Sequence, residues 1–530
     1  MKKNIITSLM IVLSINLTGQ TIFKEFTIEK KYLNIPVSMQ QNRQKVYFLH
    51  DKDTLTYSVI RIADKEPDYW VFKEISAYKG KKLILTFTDK VSGLDKIYQS
   101  DRFAGEDSVY KESNRPQLHF SSRRGWNNDP NGLVYHDGEY HLFYQHNPFE
   151  ADWENMHWGH AVSKDLLHWE ELNDALYPDT LGTMFSGSAV IDKNNTSGWG
   201  KNTMVALYTA AGKKMTQNVA YSTDKGRTFA KYEGNPILGP DRDPKVFWYE
   251  PTKTWVMVLY NDNYFAIYNS KDLKKWDYKS KVMGFYECPE FFELPVDGNQ
   301  KNKKWVMYGA SGTYMIGTFN GETFTPEHGK YFYAWGSQYA PQTFNNVPDG
   351  RRIQVGWGRI THPGMPFTQM MLFPTELTLK TTHEGVRMFC NPINEINKLH
   401  KKTYSWKNIT EQELNDKLKA INIDLLHVKM DVEIVHGLGL EVHYRGNPVL
   451  YYDGNFNQFN NAPYIPKTPG GFRFSIEMII DKTSLEGYID GGKLFISDGF
   501  KMAKSGDGLR LMGDLKIHSF ELSELESIWK

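Results

Sequence analysis

WNNDPNG, at residues 126–132, is a cluster of turn-forming residues that stands directly before an apolar run. The run LVY at 133–135 is followed by a second turn, HDG at 136–138, and by the strand-like segment YHLFY at 140–144. Two strand-like segments joined by a tight turn predict a β-hairpin, with Asp129 just ahead of its first strand. Pro130 disfavours a helical backbone at the residue before it, so the carboxylate of Asp129 is expected to have a fixed direction. An aspartate before a proline is more often a turn residue than a catalytic one, and the rest of the chain decides between the two.

The composition indicates a globular protein with nearly balanced charge. Its 530 residues are enough for about three domains. With 63 basic and 62 acidic residues, the formal net charge is +1, which argues against nucleic acid or an anionic membrane as the main partner. The 14 Trp, 31 Tyr and 30 Phe fit either strand-rich cores or stacking surfaces for sugars, and composition does not separate the two.

The N-terminus predicts export. Lys2 and Lys3 precede an apolar stretch at 5–17 and the small and polar residues at 18–20, so residues 1–20 are predicted to be a signal peptide and the mature protein to be periplasmic, cell-surface or extracellular. Nothing from residue 21 onward resembles a transmembrane helix. Cys288 and Cys390 are the two cysteines, too few for a disulfide scaffold; one bridge between them is conceivable, but two free thiols are the prediction.

Strand patterns divide the mature chain into three β-rich domains. Short strands at 32–37, 45–50, 56–62, 69–78 and 82–88 predict a small N-terminal β-sandwich over 21–113. Residues 114–385 form a repeating region, and strand patterns over 420–530 predict a C-terminal β-sandwich. The segment between them, 386–419, is polar and partly helix-like and is predicted to be a linker. The oligomeric state is not determined by the sequence.

The central region contains an internal repeat. SKDLLHW at 163–169 recurs as SKDLKKW at 270–276, with a looser copy, STDKGRTF, at 222–229. A period of this size, built from short strands and turns, is typical of the blades of a β-propeller. About 270 residues at roughly 50 per blade predict five blades. The repeated Asp and Trp residues are expected to brace turns and to pack between blades.

Three acids share one local design. Asp129 precedes Pro130, Asp243 precedes Pro244, and Glu287 stands two residues before Pro289. Each is followed by an apolar strand in a different predicted blade. Because the innermost strands of a propeller converge on its axis, acids at corresponding positions of these strands are expected to meet in one funnel.

These motifs resemble the signatures of glycoside hydrolase family 32, which contains invertases, levanases, inulinases and fructan exohydrolases. The resemblance is carried by WNNDPNG at 126–132, RDP at 242–244 and ECP at 287–289, together with WGHA at 158–161, FSGSA at 185–189, YAPQTF at 339–344, GWG at 356–358 and DKTSLE at 481–486. It implies a five-bladed propeller followed by a β-sandwich, and leaves the N-terminal sandwich as an addition. One departure is Glu290, which stands where an aspartate is usual in the family.

The resemblance also implies the chemistry. Asp129 would be the nucleophile, Glu287 the general acid/base and Asp243 the stabiliser of the transition state. A retaining glycosidase needs two carboxyl groups about 5–5.5 Å apart, and neighbouring negative charge favours a protonated Glu287 beside an ionised Asp129. The residues implied to bind the fructosyl unit are Asn128, Gln145, Trp153, Phe185, Ser186, Arg242, Tyr339 and Trp357. Trp153, Phe185 and Trp357 have packing in the protein interior as an alternative role. No metal or organic cofactor is implied, and no Cys/His cluster with zinc spacing is present in the sequence.

The resulting hypothesis is a retaining β-fructofuranosidase that hydrolyses levan or inulin, with sucrose as a further candidate substrate. A fructosyltransferase of the same fold and a non-catalytic fructan-binding protein remain as alternatives, although the presence of all three acids argues against the latter. The preference for levan or inulin, and the choice between exo and endo action, depend on the shape of loops around the site, which the sequence does not report.

Overall fold

The computed structural model of the protein describes residues 22–50, 53–88, 91–464, 472–501 and 508–529. The predicted signal peptide, residues 1–20, lies outside these residues. Almost all regular structure is β-strand, in agreement with the predicted all-β class. Within the described ranges, no helix combines the length and the apolar composition needed to cross a membrane.

The N-terminal region forms a sandwich of two antiparallel sheets. One sheet has the strand order β1-β6-β3-β4 and the other β5-β2-β7. Their inner faces enclose an apolar core that includes Leu33, Phe48 and Leu85. The first and last strands were not apparent in the sequence pattern. The strands are β1 (Ile22–Thr27), β2 (Tyr32–Val37), β3 (Gln44–His50), β4 (Asp53–Ile60), β5 (Tyr69–Glu74), β6 (Lys82–Phe87) and β7 (Tyr98–Ser100), and short 3-10 helices occupy Ser76–Tyr78, Leu94–Lys96 and Glu106–Ser108.

The central region is a five-bladed propeller. The first four blades run in chain order from an inner to an outer strand, and the fifth is completed by a hairpin that follows two short intervening strands. The strands are β8 (Gly125–His136), β9 (Glu139–Asn147), β10 (His157–Ser163), β11 (Trp169–Glu171), β12 (Thr183–Asp192), β13 (Thr203–Ala211), β14 (Met215–Ser222), β15 (Ala230–Lys231), β16 (Arg242–Tyr249), β17 (Thr254–Asn261), β18 (Tyr264–Ser270), β19 (Asp277–Met283), β20 (Glu290–Val296), β21 (Asn299–Tyr308), β22 (Thr313–Phe319), β23 (Phe324–Phe332), β24 (Ala334–Gly336), β25 (Gln338–Thr343), β26 (Arg352–Gly358), β27 (Phe367–Thr368), β28 (Met370–Met371), β29 (Thr375–Thr382) and β30 (Gly385–Pro392).

The ring is closed by contacts between its first and last blades. The inner strands β8, β12, β16, β20 and β25 lie around the axis, and β25 adjoins β8. In addition, β27 pairs in parallel with the start of β8, with Phe367 opposite Gly125. Apolar side chains fill the spaces between blades; Val246 and Trp255 of the third blade, for example, pack on Val205 and Leu207 of the second. Burial of this kind contributes about 25 cal/mol per Å² of apolar surface.

The repeated aspartates brace turns, as predicted. Asp165 accepts hydrogen bonds from the backbone N–H groups of Leu167 (3.1 Å) and His168 (3.0 Å). Asp272 does the same for Lys274 and Lys275, both at 2.9 Å. These side chains replace backbone partners at the connection to the outer strand of each blade.

The C-terminal region is a second sandwich built around two long strands. β32 and β39 pair along most of their length, and their partners change midway: β32 pairs with β36 in its first half and with β33 in its second. Gly437, with φ of 78°, lies where the pairing shifts within the continuous strand β32. The elements are β31 (His400–Thr410), α1 (Glu411–Leu418), β32 (Leu426–Tyr444), β33 (Asn447–Asp453), β34 (Gln458–Phe459), β35 (Ala462–Pro463), β36 (Arg473–Ile480), β37 (Ser484–Ile489), β38 (Leu494–Gly499) and β39 (Leu509–Leu525).

The segment 386–419, predicted to be a linker, has regular structure throughout most of its length. It contains most of the outer strand β30 of the fifth blade, a 3-10 helix at Asn394–Leu399, the edge strand β31 and the helix α1. β31 pairs with β39 on one side, and its residues are mostly exposed. An edge strand with little burial lacks the alternating pattern on which the sequence prediction depended, so the segment was mistaken for a linker.

A buried ionic cluster joins the propeller to the C-terminal sandwich. His119 contacts Asp481 through Nδ1 at 2.8 Å and Glu486 through Nε2 at 2.9 Å, and all three side chains are buried. Asp481 also accepts from the backbone N–H of Leu118, and Glu486 from that of Phe373. Burial alone would lower the pKa of His119, but its two carboxylate partners raise it to about 9. His119 is therefore a buried imidazolium at neutral pH.

Replacement of His119 by Gln is expected to destabilise the protein by about 3–5 kcal/mol, because two buried carboxylates lose their counter-ion. Since the pKa of His119 is raised on folding, its contribution is fully present below about pH 6.5 and is lost as the pH rises through about 9. The melting temperature of His119→Gln should thus fall strongly at pH 6 and less at pH 9.5. His436→Gln, which removes an exposed His–Asp pair, is the control and should change the melting temperature little; equal effects of the two variants would contradict the assignment.

Candidate active site

Irregular pairing at one end of the inner strands directs side chains toward the propeller axis. The register shifts between Asn127 and Pro130 in β8, between Phe185 and Gly187 in β12, between Arg242 and Lys245 in β16, and between Tyr339 and Gln342 in β25. The residues left over at these bulges include Asp129, Ser186 and Asp243. A β-bulge bends a strand and redirects a side chain that regular pairing would place on the sheet face. The sequence pattern predicted Asp129 just ahead of the first strand. In the structure it lies inside β8.

Two of the acids stand on backbone that L-amino acids rarely adopt. Asp243 has φ of 64°, Glu287 has φ of 48°, and Cys288 has φ of 43°. Non-glycine residues in this left-handed region are uncommon and are found where the surrounding structure enforces them, often at functional sites. The prolines that follow these acids were the visible signal in the sequence, but the left-handed conformation was not predictable from it.

All five blades contribute to one point on the axis. A small cavity of about 10 Å³ is lined by Pro130, Ser186, Asp243, Cys288 and Pro341, one from each blade in turn. Cys288 Sγ lies 3.8 Å from Asp129 Oδ2 and 3.7 Å from Asp243 Oδ2. The acids predicted from three separate motifs are therefore neighbours. A different cavity, of about 790 Å³, is lined by the far ends of the inner strands, including Ile191 and Phe247, and does not contain the acids.

Asp129 is partly buried and is held by neutral hydrogen-bond donors. Ser186 Oγ donates to its Oδ2 at 2.7 Å. The adjacent Asn128 is itself fixed by Trp126, whose Nε1 donates to Asn128 Oδ1 at 2.9 Å. Burial raises the pKa of Asp129, and the hydrogen bonds from Ser186 and Asn128 oppose that shift. The donors thus support the ionised form that a nucleophile needs.

Asp243 has the more strongly perturbed carboxyl group. Its Oδ2 accepts from the backbone N–H of Cys288 at 3.2 Å, and Arg242 Nε is 3.7 Å away. Its own backbone N–H donates to Thr209 Oγ1 at 3.0 Å. Burial, followed by the charge of Asp129, raises the pKa of Asp243 to about 7. Both charges are costly here because little solvent reaches them.

Glu287 faces two donors. Arg242 Nη2 donates to its Oε1 at 2.5 Å, and the Tyr339 hydroxyl donates to its Oε2 at 2.7 Å. Burial and the carboxylate of Glu287 raise the pKa of Tyr339, so its hydroxyl remains a donor. The Arg242 guanidinium also lies 4.8 Å from the ring centre of Tyr260. Arg242 is therefore held from two sides, beside two of the three acids.

The remaining residues of the predicted binding set surround the acids. The Trp357 ring stands edge-to-face with those of Trp126 and Tyr339, both at 6.1 Å. On another side, Trp153 and Phe185 form an edge-to-face pair at 6.1 Å, with Trp153 49% exposed. Gln145 is buried behind β8, where its amide can donate to that of Asn131 at 2.8 Å. The aromatic residues thus offer faces to a ligand, whereas Gln145 supports the strand that carries Asp129.

Further residues support the acids from beneath and behind. Lys245 Nζ and Glu290 Oε1 form a buried pair at 2.7 Å, and Thr343 Oγ1 donates to Glu290 at 2.5 Å. Glu290 is the position that departs from the family pattern, and here it has a cationic partner beneath the acids. Thr209 and Gln369, which accept from Asp243 N–H and the Trp357 indole, could not have been selected from the sequence because each approaches the site from a distant strand or loop.

Both cysteines are free thiols, as predicted. Burial and the nearby carboxylates raise the pKa of Cys288, so its thiol stays protonated and is a poor nucleophile. Among the residues that the structure describes, no group of three or more His, Cys, Asp or Glu side chains is arranged to hold a metal ion. That the reaction needs no cofactor stays a prediction.

Replacement of Asp243 by Asn is expected to stabilise the fold at high pH. A carboxyl group whose pKa is raised on folding lowers the free energy of unfolding as the pH rises from about 4 toward 7. Above about pH 7 this deficit in stability stays constant. Asn removes that deficit, which is of the order of 2–4 kcal/mol. The melting temperature of Asp243→Asn should exceed that of the wild type at pH 8 and approach it at pH 4.5. Asp277→Asn, an exposed carboxylate of β19, is the matched control; a pH-independent difference would show that Asp243 is not under electrostatic strain.

Comparison with known proteins places the chain in a family. Residues 119–392 match the model of the glycosyl hydrolases family 32 N-terminal domain. The chain is 39% identical to a levanase of Bacillus subtilis over 490 residues, covering 80% of this chain and 72% of the relative. It is 35% identical to an extracellular exo-inulinase of Aspergillus niger over 370 residues, covering 56% of this chain and 69% of that one. The crystal structure of exo-inulinase from Aspergillus awamori superposes with a TM-score of 0.70 at 26% identity, over 79% of this chain and all of that one. The propeller, its converging acids and these matches together show that the chain is a glycoside hydrolase and belongs to family 32.

Proposed function

We propose that the protein is a retaining β-fructofuranosidase that hydrolyses fructans, levan or inulin, and sucrose through a covalent fructosyl-enzyme. The observation that carries the proposal is the meeting of Asp129, Asp243 and Glu287, from three blades, at one end of the propeller channel. The relatives named levanase and exo-inulinase support fructans as the substrate class.

The three acids are proposed to divide the reaction between them. Asp129 attacks the anomeric C2 of a β-fructofuranosyl unit while Glu287 gives a proton to the departing oxygen. Water then gives a proton to Glu287 and attacks C2, which releases fructose and restores Asp129. Arg242 and Tyr339, which contact Glu287 in the free site, are close enough to orient its carboxyl group and to bind sugar hydroxyls.

The raised pKa of Asp243 suits a transition-state stabiliser. Buried beside Asp129, its carboxyl group is only partly ionised near pH 7. Positive charge that develops on the furanose ring would favour its carboxylate form, so the interaction strengthens as the transition state is approached. The unfavourable interaction between Asp243 and Asp129 in the free enzyme is thereby relieved in the transition state and not on substrate binding.

The two alternatives differ in what happens at Asp129. A fructosyltransferase would form the same covalent intermediate but pass the fructosyl unit to a sugar. A non-catalytic binding protein would need no nucleophile, and the donors that support an ionised Asp129 weigh against it. Hydrolysis is preferred because the relatives are named for it.

The location and domain limits are part of the same proposal. We infer that residues 1–20 direct export, which agrees with a relative described as extracellular. The domain limits are proposed as 21–113 for the N-terminal sandwich and 114–392 for the propeller, with the C-terminal sandwich beginning at β31. Nucleic acid is not expected as a partner.

Asp129→Asn is expected to lower kcat by about 10³-fold or more, because Asn cannot form the covalent ester. Substrate binding should remain within a few-fold of the wild type, since the amide keeps the size and the hydrogen-bonding position of the carboxyl group. Fructose release measures kcat, and calorimetry measures binding. The control, Asp272→Asn, changes a turn aspartate in another blade and should leave kcat unchanged; undiminished turnover by Asp129→Asn would exclude it as the nucleophile.

Chromatography of the products tests the substrate class and the mode of attack. Because one relative is named an exo-inulinase, we expect fructose as the main product from levan and inulin, and equal amounts of fructose and glucose from sucrose. A ladder of oligosaccharides would instead mean internal cleavage, and fructosylated products longer than the substrate would favour the transferase. No product from any of the three would contradict the proposed function.

A further inference from the structure

The segment between β9 and β10, residues 148–156, is called the rim loop here. It carries Trp153, which pairs edge-to-face with Phe185. Phe185 directly precedes Ser186, whose hydroxyl donates to Asp129 at 2.7 Å. The indole therefore stands one side chain away from the residues that hold the proposed nucleophile, and about half of its surface is free for a ligand.

The rim loop is packed into the N-terminal sandwich. Phe149 is fully buried and belongs to the apolar core of that sandwich, together with Leu33 and Val46. Its ring stacks at 5.9 Å on that of Phe48 of β3. A propeller loop thus completes the core of a different domain, and the two cannot separate without exposing a phenylalanine.

Hydrogen bonds between side chains and backbone groups fix the same loop at two further points. Asn155 Oδ1 accepts from the backbone N–H of Val59 at 2.6 Å, and Asn155 Nδ2 donates to the Val59 carbonyl at 2.7 Å. Asn155 has φ of 51°, a left-handed conformation that asparagine tolerates better than most residues. Near the middle of the loop, the Ala151 N–H donates to the Tyr69 hydroxyl at 2.9 Å.

Two arginines of the N-terminal sandwich bind the three acids of the rim loop. Glu150, whose side chain is buried, accepts from Arg61 Nη1 at 2.9 Å and from the Arg61 backbone N–H at 2.7 Å. Arg61 Nη1 also reaches Asp152 at 2.9 Å. Arg43 contacts Glu150 at 3.2 Å and Glu154 at 3.1 Å. Arg61 is thus bonded to the residues on both sides of Ala151. One of them, Asp152, directly precedes Trp153 in the chain.

The propeller itself holds the loop near its two ends. Asn147, the last residue of β9, donates to the Asp152 carbonyl at 2.8 Å and accepts from the Phe149 N–H at 3.1 Å. The Met156 carbonyl accepts from the Met184 N–H at 2.8 Å. Between these points, the charged side chains that flank Trp153 have their ion pairs with the N-terminal sandwich.

We propose that the N-terminal sandwich is a positioning module of the active site, in which Arg61, acting through Glu150 and Asp152, sets the place of Trp153 at the sugar-binding rim. The inference rests on the proposed function, because the ligand of Trp153 is taken to be a sugar unit of the fructan. Arg61 itself does not reach the acids and is a positioning residue. The simpler role for the sandwich, added stability alone, predicts no kinetic effect specific to Trp153.

Kinetics can separate the two roles. A side chain at the rim contacts the substrate before and during the reaction alike, so its displacement should raise KM and leave kcat nearly unchanged. We expect Arg61→Met to raise KM for levan or inulin by about 5- to 20-fold, with partial recovery in Arg61→Lys, since small displacements of binding groups have effects of this size or greater. Trp153→Ala should have a comparable effect. In the double variant the increases should not multiply, because Arg61 acts through Trp153.

Two further variants guard against unfolding as the cause. Tyr69→Phe removes only the hydroxyl that accepts from Ala151 and should raise KM about 2- to 5-fold while the melting temperature stays close to that of the wild type. Arg102→Met removes an exposed arginine of the same sandwich that is paired with Glu106 and Asp107; it should leave KM unchanged. An unchanged KM in Arg61→Met, or fully multiplicative effects in the double variant, would overturn the inference.

Hydrogen exchange provides a readout without turnover. In Arg61→Met the peptide covering 148–156 should exchange faster than in the wild type, while peptides from β12 and β16 stay unchanged. Unchanged exchange of the rim loop would refute the positioning role whatever the activity. If the wild type were inactive on fructans but the rim loop still exchanged faster in Arg61→Met, the proposed function would be wrong. The link between the sandwich and the loop would still hold.

Discussion

The close approach of two carboxyl groups where little solvent reaches them is the constraint on which the rest of the structure depends. Asp129 and Asp243 lie on either side of the Cys288 thiol, and burial raises the pKa of both. Such an arrangement would relax by separation or hydration if the backbone allowed it. It persists because the acids are placed by bulged inner strands of a closed ring. Closure of that ring, through β27 on β8 and β25 beside β8, is therefore as necessary to the site as the acids are.

The outer domains contribute to this rigidity from two directions. On one side, the His119 imidazolium joins the segment before β8 to the carboxylates of the C-terminal sandwich. On the other, the N-terminal sandwich takes Phe149 of the rim loop into its core. The first link is an ion cluster whose members are costly to leave buried without their partners, and the second is an aromatic ring that is costly to expose. The three domains are thus held together by contacts that meet near the first blade, which carries Asp129.

Prediction from the sequence succeeded where a signal repeats, and it failed at an exposed edge strand and at a β-bulge. The blade number followed from the spacing of the Ser-Lys-Asp-Leu turns, whose aspartates do brace turns. The segment 386–419 was mistaken for a linker because β31 is a mostly exposed edge strand. Asp129 was expected ahead of a strand because its flanking residues are turn-formers, whereas they form a bulge inside β8. A bulge and a turn require the same residue types, so local sequence does not distinguish them.

The sequence by itself determined that this is an all-β propeller enzyme of the glycoside hydrolase type, with Asp129, Asp243 and Glu287 as the acids to examine. The propeller followed from the internal repeat, and the three acids followed from the resemblance of their short motifs to those of the family. Only the tertiary structure decided the electrostatics and the supports: which carboxyl group has its pKa raised to about 7, that Thr209 and Lys245 lie behind the site, and that Arg61 reaches the rim loop. These properties depend on burial and on contacts between residues far apart in the chain. Such quantities exist only once the ring has closed and solvent has been excluded from its axis.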